Sequence, residues 1–145
     1  MTALVVDASV AAKWGFPEES HEQAAALLDV ALAESGVLMA PDLILSELGN
    51  LVLTKIRSGE VTREDGEAVF EDFMSAPIEL VPSSELAREA LALGLTTKCS
   101  FYDGLYLALA QAFKVQLVTA DRKLLRRLQG TPLAELGILL DDVVL

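Results

Sequence analysis

The sequence alternates between short runs of apolar residues and longer segments in which apolar residues recur every three or four positions. The short runs predict buried strands, and the longer segments predict amphipathic helices. The strands are predicted at Ala3–Asp7, Val37–Ala40, Ile78–Val81, Gln116–Ala120 and Ile138–Leu140. Short strands that alternate with helices are typical of a parallel sheet covered by helices on both faces.

Turn and cap residues set the bounds of the predicted helices. Gly36 and Gly59 are expected to end two of them, and Thr62 with Asp65 forms a capping pair that opens a third. The helices are predicted at Ala8–Trp14, Glu18–Glu34, Asp42 to about Gly59, Thr62 to about Ser75, Ser84–Leu95, a segment that begins with SFYD at Ser100, and DRKLLRRL at 121–128. No repeat or linker divides the chain, so we predict one α/β domain over residues 1–145.

Composition narrows the class of protein. The chain has 145 residues, 52% of them hydrophobic, and a net charge of −11. One cysteine, Cys99, and one histidine, His21, exclude a zinc site built from several Cys and His ligands. The acidic balance argues against a protein that coats nucleic acids, which is normally basic. It leaves open a nucleic-acid enzyme whose carboxylates hold metal ions.

The apolar runs are too short for a membrane protein. A membrane-spanning helix needs about 20 apolar residues, and no run here approaches that length. Asp7 interrupts the apolar start, and no basic segment precedes it, so we expect no secretory signal. We therefore expect a cytoplasmic protein that does not bind membranes, and the lone Cys99 suits a reducing compartment.

Two aspartates follow predicted strands directly. Asp7 follows LVV and Asp121 follows LVTA. Ligands of open parallel sheets bind at the carboxyl ends of the strands, so both side chains would face a binding crevice. The alternative is that each merely caps the next helix, a position that Asp favours.

Two further acids stand in apolar surroundings on predicted helices. Glu47 lies within or beside the stripe formed by Ile44, Leu48 and Leu51, so it either reaches water at the edge of the stripe or is buried with a partner. Asp103 stands in the first turn of SFYDGLYLALA, where it completes a capping box with Ser100. The apolar residues of that helix are expected to line its buried stripe: Phe101, Tyr102, Leu105, Tyr106 and Leu109.

The four acids have a joint consequence if they meet in one cleft. Ionised carboxylates that lie a few ångström apart repel one another, so such a cluster must take up protons or cations. Oxygen ligands without His or Cys favour hard ions, Mg²⁺ or Mn²⁺, over zinc. An ion of this kind suits phosphate-ester chemistry.

Four segments, in order, carry a resemblance to a known family. VVDASV, PDLILSELGN, SFYDGLYLALA and LVTADRKLL resemble the acidic motifs of the PIN-domain family, and more narrowly those of VapC toxins from toxin–antitoxin pairs. The resemblance implies a three-layer α/β/α sandwich around a mostly parallel sheet. It also implies an Mg²⁺- or Mn²⁺-dependent endoribonuclease that hydrolyses RNA phosphodiester bonds with a metal-activated water.

The resemblance also implies which residues form the site. Asp7, Glu47, Asp103 and Asp121 would be the catalytic, metal-binding acids, with Asp7 and Asp103 as the principal ligands. Ser9 and Thr119 match hydroxyl positions that orient the acids or water, although Ser9 would also serve as an ordinary helix cap. A cognate antitoxin would block the cleft, and the chain is expected to form a homodimer.

Basic residues beside the motifs are candidates for RNA contacts, the alternative being ordinary surface charge. They are Arg122, Lys123, Arg126, Arg127, Lys13 and Lys98. A non-catalytic PIN-like scaffold that only binds a partner is the main alternative function. A haloacid-dehalogenase-type phosphatase is disfavoured because Ser9 stands where its second Asp belongs, and VLMAPD and IELVPS do not fit a receiver domain.

Overall fold

The computed structural model describes residues 2–145 and is built on one sheet of five parallel strands. The strands lie in the order β3-β2-β1-β4-β5, so the first strand of the chain is at the centre. Their bounds are β1 (Thr2–Val6), β2 (Gly36–Pro41), β3 (Ile78–Val81), β4 (Gln116–Thr119) and β5 (Gly137–Leu139). All five predicted strands are confirmed.

Seven α-helices and a final 3₁₀ turn connect and follow these strands within the described residues. Their bounds are α1 (Ala8–Gly15), α2 (His21–Leu32), α3 (Leu43–Arg57), α4 (Arg63–Ser75), α5 (Ser83–Thr97), α6 (Phe101–Phe113), α7 (Arg122–Leu128) and the turn Leu140–Asp142. The predicted helices are confirmed, and the largest shift is at the start of α2, expected at Glu18 and observed at His21. None of these helices is long and apolar enough to span a bilayer.

Side chains of the central strands alternate between two buried cores, one on each face of the sheet. Leu4 and Val6 pack with Leu27 of α2 on one face, whereas Val5 packs with Ile44 of α3 and residues of α6 on the other. This alternation follows from the period of two in a β-strand. The result is the expected α/β/α sandwich.

The register brings the carboxyl ends of the strands to one edge. Val5 of β1 is level with Met39 of β2 and with Leu117 of β4. The residue that follows β1, Asp7, therefore lies beside the end of β4. The strands β2 and β3 lie on one side of β1, and β4 and β5 lie on the other. In parallel α/β sheets, a ligand-binding crevice forms at the carboxyl ends of strands where the strand order reverses in this way.

Helix α6 is pressed against α5, and its middle part, Gly104–Ala110, is buried. A Cβ atom on Gly104 would stand 2.6 Å from the backbone oxygen of Ala90, so only glycine permits this approach. The buried stretch starts at Gly104, and the side chains of Phe101 and Tyr102 before it are 43% and 61% exposed. The expectation that both line the buried stripe is therefore wrong, because the first turn of α6 lies outside the core.

Candidate metal centre at the carboxyl edge of the sheet

Asp7 is the most firmly held of the four acids. It follows β1 and caps α1, where its Oδ1 accepts hydrogen bonds from the Val10 amide at 3.3 Å and from Ser9 Oγ at 2.5 Å. Its Oδ2 accepts a hydrogen bond of 2.5 Å from Thr119 Oγ1. Asp7, rather than Ser9, is thus the cap of this helix, and Ser9 donates to the acid as the resemblance implied.

The two hydroxyl groups also tie Asp7 to the segment that follows β4. Ser9 Oγ accepts a hydrogen bond of 2.9 Å from the Ala120 amide, and Thr119 Oγ1 accepts one of 3.0 Å from the Asp121 amide. Each hydroxyl therefore donates to Asp7 and accepts from the backbone near Asp121. The hydroxyls fix the spacing of the two strand ends, which lie 112 positions apart in the chain.

Glu47 is half-buried in the second turn of α3 and has a buried partner. Its Oε1 accepts a hydrogen bond of 2.6 Å from the phenol of Tyr106 in α6. Both explanations open from the sequence hold in part, because Glu47 has a buried partner and is itself still half-exposed. The bond joins two helices across the core at the level of the acids.

Asp103 and Asp121 lie at helix starts, as the capping interpretation expected. The Asp103 amide donates a 3.0 Å hydrogen bond to Ser100 Oγ, so Asp103 lies in a capped first turn of α6. Asp121 caps α7, because its Oδ1 accepts from the amides of Lys123 and Leu124. Capping does not remove either carboxylate from the edge of the sheet. Three helix N-termini, those of α1, α6 and α7, therefore meet at this edge.

Electrostatic coupling runs through the four acids as a chain. Burial raises the pKa of Asp7 to about 6, against the hydrogen bonds from Ser9 and Thr119, and the charge of Glu47 adds to the rise. Burial and the charge of Asp103 raise the pKa of Glu47, although the Tyr106 bond lowers it. Asp7 and Asp103 therefore each interact electrostatically with Glu47.

The pKa of Asp103 is raised in the same way. Burial is the main cause, the charge of Asp121 adds to it, and Ser100 and Arg127 act in the opposite direction. The four carboxylates therefore repel one another at the carboxyl edge of the sheet. Among the described residues, none of the four forms an ion pair with a basic side chain.

The donor set fits a hard divalent cation, because it consists of oxygen atoms whose negative charge is not balanced by the protein. The side chains themselves do not yet converge. Within residues 2–145, no three Asp, Glu, His or Cys side chains come close enough to hold a metal ion as they stand. Occupation by a cation would therefore require the carboxylates to turn toward one another.

A cleft of about 480 Å³ opens beside these acids. Ser9 and Glu47 lie on its wall with Lys13 and Lys55, and Phe16 and Leu51 give it an apolar side. A single-stranded nucleic acid offers both phosphates and apolar base faces, and a cleft of this composition suits both.

The predicted RNA-contacting residues are placed in different surroundings. Lys13 lines the cleft and donates to the Glu19 carbonyl at 2.7 Å. Arg127 lies near enough to Asp103 to lower the pKa of that acid. Arg122 forms a 3.9 Å ion pair with Asp141 at the C-terminal turn. Exposed positions hold the other three candidates, Lys98, Lys123 and Arg126.

Two residues of this region were missed by the sequence analysis. Tyr106 was predicted only to be a core residue, because nothing in the sequence links it to Glu47. Lys55 was missed because no acidic motif stands next to it in the sequence. In the structure it lies on the wall of the cleft. Its ammonium group is 2.9 Å from Glu60 and 5.0 Å from the ring centroid of Phe16. A glutamate eight positions before Lys55 was the only signal, since i and i+8 share a helix face.

Known proteins show the same architecture and relate the chain to one family. Residues 4–130 match the PIN domain, and the chain belongs to the PIN-domain family. Ribonuclease VapC3 of Pyrobaculum aerophilum is 32% identical over 124 residues, which cover 83% of this chain and 91% of that protein. The resemblance inferred from the four acidic motifs is thus confirmed.

Solved structures agree on the fold. PAE2754 from Pyrobaculum aerophilum superposes with a TM-score of 0.67 at 22% identity, over 90% of this chain and 82% of its own. A toxin–antitoxin complex from Klebsiella pneumoniae contains a chain with a TM-score of 0.58 at 14% identity, over 93% of this chain and 95% of its own.

Proposed function

We propose that this protein is a metal-dependent endoribonuclease and the toxin of a toxin–antitoxin pair. The observation that carries the proposal is that Glu47 couples to both Asp7 and Asp103 at the carboxyl edge of the sheet, in a PIN-domain chain. The likeness to Ribonuclease VapC3 over most of both chains supports RNA as the substrate.

In this proposal Asp7, Glu47, Asp103 and Asp121 hold Mg²⁺ or Mn²⁺. When bound, the cation supplies positive charge for the phosphate and lowers the pKa of a coordinated water. Ser9 and Thr119 hold the Asp7 carboxylate in place, and Glu47 or Asp121 orients the attacking water. The cleft admits the RNA strand, with Lys13 on its wall. Hydrolysis would leave a 5′-phosphate and a 3′-hydroxyl.

The central test is cleavage of RNA by the purified protein with Mg²⁺, with Mn²⁺ and with a chelator. We expect cleavage with either ion and none with the chelator. Asp7→Asn and Asp103→Asn keep the shape of the side chain but remove its charge, so each should abolish cleavage. Asp72→Asn, an exposed position on α4, is the matched control. Cleavage that survives the chelator or both active-site changes would refute the proposal.

A scaffold without catalysis is the second candidate, because no three acids converge in the described residues. Calorimetric titration with Mn²⁺ separates the two functions. Saturable binding that Asp7→Asn weakens supports the nuclease, and a titration without heat of binding supports the scaffold.

The partners in the proposal are a cognate antitoxin and a second copy of the chain, and the proposed location is the cytoplasm. The toxin–antitoxin complex from Klebsiella pneumoniae supports the first partner. An apolar groove of about 660 Å³ between α3 and α4, lined by Val52, Leu53, Ile56 and Phe70, offers a surface for the antitoxin.

Co-expression with the candidate antitoxin should suppress RNA cleavage. Leu53→Asp places a charge in the groove, so this variant should cleave RNA even when the antitoxin is present. Sedimentation of the protein alone tests the homodimer.

A further inference from the structure

Tyr106 contacts one of the four acids at the carboxyl edge of the sheet, but it is neither an acid nor one of the two hydroxyl residues that hold Asp7. It lies one turn after Asp103 in α6, inside the buried stretch that starts at Gly104, and only 3% of its surface is exposed. Its hydroxyl donates a 2.6 Å hydrogen bond to Glu47 Oε1. Burial in the packed helix holds the ring, so the phenol has little freedom to follow another acceptor.

We propose that Tyr106 is a positioning residue that fixes one oxygen of the Glu47 carboxylate, so that Glu47 stays in place beside Asp7 and Asp103 when these acids turn to share one divalent cation with it. The inference rests on the proposed function of the acidic site. It goes beyond the four acids because it gives a neutral core residue a part in cation binding.

The hydrogen bonds of Glu47 support this assignment. Tyr106 occupies Oε1, and among the described residues no donor occupies Oε2, which leaves that oxygen for a cation or a water. A bond from a neutral hydroxyl to a carboxylate is short and strong, and it keeps the negative charge that a cation needs. A lysine at this position would neutralise the charge instead.

Two of the four acids are held by the same type of contact. Asp7 receives the hydroxyls of Ser9 and Thr119, and Glu47 receives the hydroxyl of Tyr106. Neutral donors that orient ligating carboxylates commonly change metal affinity or activity by about 10–100-fold when they are removed. Packing alone does not explain the tyrosine, because phenylalanine would fill the same apolar space.

The experiment is Tyr106→Phe, with Tyr102→Phe as the matched control. Tyr102 stands on the same helix, and its side chain is 61% exposed. We expect Tyr106→Phe to weaken Mn²⁺ binding by about 10–100-fold in calorimetry, whereas Tyr102→Phe binds as the wild type does. Thermal unfolding of both variants in chelator shows whether they are folded. Tyr106→Phe that binds Mn²⁺ like the wild type would overturn the inference.

A double-mutant cycle separates positioning from a general loss of structure. If Tyr106 acts through Glu47, Tyr106→Phe should weaken Mn²⁺ binding much less in a Glu47→Gln background than in the wild type. An equal loss in both backgrounds would assign Tyr106 to packing and overturn the inference. Crystals of the metal-free Tyr106→Phe variant give a readout that needs no metal, because the Glu47 side chain should leave its wild-type rotamer. An unchanged rotamer would contradict positioning.

These outcomes distinguish the inference from the function on which it rests. Wild-type protein that binds Mn²⁺ and cleaves RNA, together with an unaffected Tyr106→Phe, refutes the positioning role alone. Wild-type protein that binds no Mn²⁺ refutes the proposed function, and the cation-sharing role of Tyr106 with it.

Discussion

Thr119 Oγ1 donates a 2.5 Å hydrogen bond to Asp7 Oδ2, and this contact links the end of β4 directly to the acid that follows β1. The Thr119 side chain is fully buried, and the same oxygen accepts the Asp121 amide at 3.0 Å. The contact therefore places two of the four acids relative to each other. Because both strands are part of the sheet, the backbone at Asp7 is fixed by the strand that precedes it.

Thr119→Val should weaken both the fold and the cation site. Valine has nearly the same shape, but it leaves Asp7 Oδ2 and the Asp121 amide without their partner, which costs about 1–3 kcal/mol for a buried group. Urea unfolding measures the loss of stability, and Mn²⁺ calorimetry should show weaker binding. Thr119→Ser keeps the hydroxyl and should retain most of the affinity. Equal affinities for the valine and serine variants would mean that the hydroxyl does not position Asp7.

The stability of the metal-free protein should fall as the pH rises from about 4 to about 6. Folding raises the pKa of Asp7 from its ordinary value of 3.8 to about 6, so the folded state binds the proton more tightly. The folded state therefore loses stability through this window, by at most about 3 kcal/mol, and the loss is complete above pH 6. Chemical unfolding in chelator at several pH values measures the slope.

Asp7→Asn should reduce that slope, because asparagine has no proton to release, while the raised pKa values of Glu47 and Asp103 leave a smaller slope of the same sign. Asp72→Asn, at an exposed position, should leave it unchanged. Saturating Mn²⁺ should reverse the loss at pH 7 in the wild type, since a cation bound only by the folded state stabilises it. A slope that Asp7→Asn leaves intact would show that another group titrates.

Gly104→Ala should destabilise the protein by about 1–3 kcal/mol, the usual cost of overpacking. The new methyl group would meet the backbone oxygen of Ala90 at 2.6 Å, and a backbone atom cannot turn aside. Gly49→Ala is the control within another helix, because its methyl group would have Phe70 Cε1 at 3.4 Å as its nearest neighbour. There the substitution should stabilise by up to about 1 kcal/mol. Urea unfolding of both variants decides whether the close approach of α6 to α5 sets the difference.

Arg127→Gln should reduce the salt dependence of RNA binding. The charge of Arg127 lowers the pKa of Asp103, so the same charge would attract a phosphate bound at the acids. Loss of one phosphate contact should lower the slope of log K against log[salt] by about 0.7 for a single strand. Fluorescence anisotropy with labelled RNA and an Asp7→Asn background measures the slope without cleavage. Arg57→Gln, at the exposed end of α3, should not change it; a slope unchanged by Arg127→Gln would exclude the contact.

The fold was predictable because each local signal agrees with the sheet. Thr62 accepts the Asp65 amide and Ser100 accepts the Asp103 amide, as the capping patterns indicated. The three central strands β1, β2 and β4 were readable because most of their residues are buried on both faces and form apolar runs, whereas β3 and β5, at the edges of the sheet, are only partly buried. The exposure of Phe101 and Tyr102 was not predictable, since apolar periodicity does not say where a neighbouring helix stops covering the face.

The site was only partly predictable. Asp7 and Asp121 carry a local signal, the end of a strand, and Glu47 carries one in its apolar surroundings. The Tyr106 contact has none, because it joins positions 59 apart through the packing of α3 against α6. Asp42 shows that an aspartate at the end of a strand is not always part of the site. It also follows a strand, but its carboxylate accepts hydrogen bonds from the amide and the hydroxyl of Ser83 at the start of α5.

The central position of β1 has a consequence during translation. The ribosome makes β1 before the other four strands, but its β4 neighbour ends at Thr119, so the β1–β4 ladder cannot form until the chain has been synthesised past that residue. Until then Asp7 lacks the Thr119 hydroxyl and has no Asp121 beside it. A nascent chain therefore cannot bring the four acids together before Asp121 has been added, and any activity that depends on them begins only after that point.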